Sequence, residues 1–150
     1  MDSDADLSDT AGSHADGTEL GWLVQSMPHA EQLGIEVVAA SPDAVEATMP
    51  WRADLCTVAG MAHGGALMAF ADSIGAILAY LNLPEGASTS TIESKTNFFR
   101  PVTAGTVRCT TRVVHAGRST IAVQSELRDD AGRLVTLTTQ TQAVITPAPG

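Results

Sequence analysis

The chain has 150 residues, 44% of them hydrophobic and 4% aromatic, with a formal net charge of −9. That length suits one domain with a single core and excludes a multi-domain assembly. The acidity and the scarcity of aromatic rings argue against a nucleic-acid binder and against attachment to an anionic membrane surface.

Residues 1–20 carry six acids (Asp2, Asp4, Asp6, Asp9, Asp16, Glu19) and no Lys or Arg, spaced by Gly, Ser, Thr and Ala. Such a stretch buries too little apolar surface to offset its ordering entropy, so a disordered acidic tail is expected there. It has neither the apolar core nor the basic start of a secretion signal. Frayed ends are likewise expected at residues 147–150, which leaves a domain over residues 21–146.

Leu20, Leu23 and Met27 predict a short N-terminal helix within Leu20–Gln32, broken near Pro28. Gly34–Ala40 and Ala44–Pro50 read as strands joined by the Ser41–Asp43 turn. In the second, Val45, Ala47 and Met49 alternate with Glu46 and Thr48, as one buried face requires. Residues 63–84 are too long and too poor in β-branched side chains for a strand. Leu67, Phe70, Ala71, Ile74, Ile77, Leu78 and Leu81 recur there at helical spacing, with Pro84 to stop the helix. Its other side is small or apolar, which predicts a helix enclosed by protein.

Ser88–Pro101, Gly105–His115, Arg118–Arg128 and Arg133–Ile145 are runs rich in Val, Thr and Ile, separated by turn signals. The order is one helix, two strands, one long helix, four strands. Without βαβ alternation a doubly wound parallel sheet is excluded. The fold class expected is α+β, with a largely antiparallel sheet holding one face against the long helix.

Cys56 and Cys109 are too few for a disulfide framework and read as free thiols in a cytoplasmic protein. They lie 53 positions apart, and His14, His29, His63 and His115 are scattered, so no metal-ligand spacing is present. No apolar run reaches the ~18 residues of a membrane span.

Chemistry concentrates on the long helix. Asp72 is the only charged residue between Asp54 and Glu85. Burying a carboxylate is costly unless it is paired or used. Its same-face neighbours Met68, Ala69, Gly75 and Ala76 offer no partner but leave space, so Asp72 reads either as a catalytic base or as a residue at a solvent-facing gap or in a buried hydrogen bond. His63-Gly64-Gly65 opens the helix, where unpaired N–H groups and absent side chains make an oxyanion site. His63 reads as a local hydrogen-bonding residue, with a catalytic base as the alternative. Gly64 and Asp72 lie eight residues apart, roughly 12 Å along a helix. One carbonyl cannot touch both in one chain, so a shared site requires two copies. Residues 91–150 carry seven bases against four acids within an acidic protein, which suits either ordinary strand surface or a small polyanion.

The stretches GMAHGGALMAFADSIGAILA, TIESKTNFFRPV and HAGRSTIAVQSEL together resemble the PaaI-type acyl-CoA thioesterases of the hotdog superfamily. The resemblance runs from about Met27 to Ile145. It implies a long helix wrapped by an antiparallel sheet, assembly as a homodimer or a dimer of dimers, and hydrolysis of acyl-CoA without a metal or cofactor. Coenzyme A would be part of the substrate. By position, Asp72 matches the family's catalytic base or nucleophile, and Gly64 its backbone oxyanion donor. Thr91 matches a hydroxyl that orients water. Arg100 and Arg118 match contacts to the coenzyme A phosphates, with Lys95, Ser119 and Gly65 as weaker candidates. Many relatives carry Asn six residues before the HGG histidine; here that position is Thr57, whose hydroxyl donates one bond and reaches less far. Thr57 also suits a second reading, a non-catalytic acyl-CoA-binding module on the same fold.

Overall fold

Residues 15–16 and 20–148 are described by the computed structural model. The N-terminal helix is broken near Pro28 as the sequence predicts, into two short pieces, α1 (Gly21–Gln25) and α2 (Pro28–Gln32). Pro28 occupies the first turn of α2, where its missing N–H costs nothing and its fixed φ favours a helix start. It therefore begins a helix rather than ending one. Leu23, Val24 and Ala30 bury the inner faces of the pair.

Strands β2 (Glu36–Ala40) and β3 (Ala44–Pro50) form a hairpin. A two-residue strand, β1 (Ala15–Asp16), pairs with Ala39 and Ala40. The tail expected to be disordered thus contributes one backbone pairing; its other residues, 1–14 and 17–19, lie outside the described residues, as do 149 and 150. Helix α3 (Gly64–Tyr80) follows, and then β4 (Ser88–Phe98), β5 (Thr106–Ala116), β6 (Thr120–Arg128) and β7 (Leu134–Ile145). All sheet neighbours are antiparallel, in the order β1-β2-β3-β5-β6-β7-β4. The β6–β7 hairpin is closed by Asp129, whose carboxylate accepts from the backbone N–H of Ala131 and Arg133. Those donors hold it below the usual carboxylate range.

The sheet turns one face to α3. Val45, Ala47 and Met49 of β3, Val107 and Cys109 of β5, and Ile121, Val123 and Leu127 of β6 meet Leu67, Phe70, Ile74 and Leu78 of the helix. Period-two burial along β6 and the helical stripe of α3 follow from strand and helix geometry. This face is not wholly apolar. Thr111 and Ser125 share a buried hydrogen bond at 2.7 Å, and Thr96 bonds Thr138 at 2.8 Å. Burial pushes the Cys109 thiol up to about 12. A thiol reagent at pH 8 is therefore expected to spare Cys109 until denaturant is added. Labelling of Cys109 in the folded protein would contradict this packing.

The helix is less enclosed than its composition predicts. Gly65, Ala69, Asp72, Ser73, Ala76 and Tyr80 retain solvent access within the single chain. Beside them runs β4, an eleven-residue edge strand paired only with β7. Its outer edge leaves main-chain groups free, and Ile92, Phe98 and the following Phe99 are 62%, 49% and 52% exposed. A long edge with exposed apolar side chains is a surface suited to pairing with another strand. No described helix is long and apolar enough to cross a membrane.

Candidate active site

The first cluster sits at the start of α3. His63 is the N-cap, in extended conformation, and its ring Nδ1 accepts from Gly65 N–H at 2.8 Å. Its proton is therefore on Nε2, and the ring works as a helix cap. The Gly65 donor is consumed. Gly64 N–H has no acceptor among the described residues. A Cβ on Gly64 would lie 3.2 Å from the Phe98 ring, so glycine lets that aromatic edge close over the helix start. Gly64, Leu67, Thr57, Phe98, Phe99 and Arg100 line a cleft of about 300 Å³. An unpaired helix-start N–H beside an apolar cleft is a place for a polarised carbonyl oxygen. Arg100 holds the rim by donating from Nη1 to Leu134 O at 2.8 Å. His63 borders a different cleft, of about 330 Å³, with His29, Asp54 and Cys56.

The second cluster centres on Asp72, two turns further along α3. The partners that its helix neighbours do not supply come from the sheet. Thr91 Oγ1 donates to Asp72 Oδ1 at 3.0 Å, and Gln140 Nε2 donates to the same oxygen at 2.5 Å. Gln142 Nε2 donates to Thr91 Oγ1 at 2.8 Å. No described residue bonds Oδ2. A β-bulge between Thr91 and Glu93 makes this contact possible. Thr91 stands opposite Gln142 before the bulge, and Ser94 opposite Gln140 after it. One extra residue, Ile92, turns both Thr91 and Ser94 towards α3. Lys95 consequently lies on the other face of the sheet, where its ammonium meets Asn97 Oδ1 at 2.5 Å.

Asp72 and Gly64 lie on one continuous helix, about 12 Å apart along its axis and turned about 80° from one another. The single chain does not bring them together. The same holds for the basic candidates. Arg100 is tied to Leu134 at one end of β7, whereas Ser119, next to Arg118 in the β5–β6 turn, accepts from Val144 N–H at the other. Ten strand residues separate those points, roughly 33 Å. Arg100 thus belongs with Gly64 and Thr57, and Arg118 and Ser119 lie towards the Asp72 end.

Three site residues are absent from the sequence expectations in these roles: Gln140 and Gln142 as partners, and Gly75 as the gap that admits Gln140. A signal for the glutamines exists. Thr136, Thr138, Gln140 and Gln142 form an unbroken polar series at alternate positions of an interior-facing strand. A strand that buries its polar phase marks a place where polar groups are used.

Comparison with known proteins agrees with this architecture. Residues 59–136 match the model of the thioesterase superfamily. The proofreading thioesterase EntH of Cronobacter turicensis is 33% identical over 116 residues, covering 77% of this chain and 80% of that protein. The crystal structure of thioesterase HI1161 from Haemophilus influenzae superposes with a TM-score of 0.82 at 29% identity, covering 89% of this chain and 93% of the other. A phenylacetic acid degradation-related protein from Ralstonia eutropha superposes with a TM-score of 0.74 at 32% identity, over 79% and 90% of the two chains. With a matching superfamily model over half its length and the helix-on-antiparallel-sheet architecture of these relatives, the chain belongs to the hotdog-fold thioesterase superfamily.

Proposed function

We propose that the protein hydrolyses acyl-CoA thioesters at a site shared by two copies of the chain. Asp72 of one subunit acts on the substrate, and Gly64 N–H of the partner subunit holds the thioester oxygen. The observation that carries this reading is a half-buried carboxylate with one oxygen anchored and the other free. It lies on the same helix as an unpaired N–H that it cannot reach. Antiparallel pairing of the exposed β4 edge with a second β4, centred near Ser94 and Lys95, sets Thr91 opposite Phe98 of the partner subunit. That register brings each Asp72 to the other subunit's Gly64 cleft. It also sets Arg118 and Ser119 of one subunit on the same side as Arg100 of the partner subunit, a cationic frame for coenzyme A phosphates.

The chemistry needs few groups. Asp72 takes a proton from water as oxygen adds to the carbonyl carbon, or attacks that carbon directly. Negative charge collects on the carbonyl oxygen and is met by the N–H. Collapse expels coenzyme A as a thiolate, a good leaving group because thiol pKa values lie near ~8.5. On the base route the proton held by the carboxyl then returns to sulfur. On the direct route water cleaves the mixed anhydride left on Asp72, releasing the acid and freeing the carboxylate, and a proton of that water goes to the thiolate. Thioester hydrolysis and two free thiols both suit the cytoplasm.

A panel of acyl-CoA esters assayed by free-thiol release tests the reading, alongside native mass spectrometry for a dimer or a dimer of dimers. Thiol release from at least one ester, by an oligomer, is the expected result. Tight calorimetric binding of the esters with no thiol release would instead select the non-catalytic acyl-CoA-binding module that Thr57 suggests. A monomer that turned over at full rate would overturn the shared site.

A further inference from the structure

We propose that Gln140 is a positioning residue that locks the Asp72 carboxylate by one oxygen, so that Oδ2 is the atom presented to the reaction. The chemical consequence rests on the thioesterase reading, whereas the geometry stands without it. Gln140 is 1% exposed, yet its amide is only half satisfied. Nε2 reaches Asp72 Oδ1 at 2.5 Å, with Thr91 Oγ1 at 3.3 Å and the backbone oxygen of Asp72 at 3.4 Å as longer contacts. Oε1 is buried with no partner among the described residues. A side chain kept only to fill space would be Leu or Met, which carry no amide to bury. The buried amide therefore marks a use, and among the described residues its shortest bond by far is to the carboxylate.

The surroundings fix the direction of each bond. Gln142 Nε2 donates to Thr91 Oγ1 at 2.8 Å, which occupies the hydroxyl as acceptor and directs its proton onto Asp72 Oδ1. Thr91 thereby helps hold the carboxylate. Two donors on one oxygen stop the carboxylate from rotating and leave Oδ2 as its open end. Gly75 completes the arrangement. It lies one turn beyond Asp72, and a Cβ there would fall 2.1 Å from Gln140 Oε1. The amide can lie flat against the helix only because that position has no side chain.

Steady-state kinetics on Gln140→Met, Gln140→Ala and Gly75→Ala test the proposal. In each, kcat is expected to fall about 10- to 100-fold with KM little changed, as for a lost bond to a charged group that matters to the reaction and not to substrate binding. The methyl group added at Gly75 acts mainly by pushing the Gln140 amide aside, its other near neighbour being Val123 Cγ2 at 3.2 Å, so Gly75→Ala should cost little further kcat in a Gln140→Ala background. Full kcat in Gln140→Met, or additive losses in the double variant, would overturn the role. A wild-type protein that released no thiol would overturn the thioesterase reading instead. The anchoring is then read directly by NMR. The Gln140 side-chain amide protons should exchange slowly and exchange faster in Asp72→Ala; unchanged exchange would sink the anchor itself.

Discussion

Asp72→Ala is expected to lower kcat on any accepted acyl-CoA by at least ~10²-fold, and by up to ~10⁴-fold, the range for a lost general base. The fold should survive. Asp72 lies on the open face of α3, and the helix is held by Phe70, Ile74 and Leu78, which point the other way into the core. Alanine is also the best helix former at an interior position. The substitution leaves the buried Gln140 amide without its acceptor, at a cost of about 1–3 kcal/mol for an unpaired buried donor, whereas the exposed Thr91 hydroxyl can turn to water. Thermal unfolding should therefore move modestly while turnover collapses. Asp72→Asn sharpens the test, since it keeps the volume and removes the charge. Circular dichroism beside the thiol assay separates the two effects, and unchanged turnover in either variant would remove Asp72 from the mechanism.

Gly64→Pro should give a loss of similar size for a different reason. Proline is tolerated at the first position of a helix, and the preceding His63 is already in the extended conformation that proline demands. The ring deletes the helix-start N–H of Gly64, which has no acceptor among the described residues, and crowds the Phe98 edge. Removal of an oxyanion donor costs ~10²–10³ in kcat. Mixing makes the shared site visible. Asp72→Ala subunits and Gly64→Pro subunits are each expected to be nearly inactive alone. In a mixed dimer one site collects both damaged residues and the other collects neither. Random reassembly should then recover about a quarter of wild-type activity, because half the dimers are mixed and each keeps one of two sites. No recovery on mixing would place Asp72 and Gly64 in separate functions.

Local pattern carried most of the elements. The helical spacing of Leu67, Phe70, Ile74 and Leu78, the alternation of Val45, Ala47 and Met49, and the turn at Asp129–Gly132 each depend on neighbours within a few positions. So does the His63-Gly64-Gly65 helix start, where the cap and the glycines are contiguous. Lys95 shows the limit. Its distance from Thr91 along the strand says nothing of which face it occupies, because the bulge at Ile92 inverts the phase after it. The pairing of β4 with β7, across the β5–β6 hairpin, has no local signature either.

From sequence alone come an acidic chain, a long helix laid on antiparallel strands, and a charged residue in its middle set apart from the glycines at its start. If Gly64 and Asp72 act on one carbonyl, helix rise requires two copies of the chain, whatever the surrounding fold. Only the tertiary structure decided what holds that residue: Gln140 reaches Asp72 from 68 positions away, through space cleared by Gly75. Hydrophobic periodicity records which side of a segment is buried. It does not record which distant segment is buried against it, and a hydrogen bond between a helix and the far end of a sheet exists only once both have been packed.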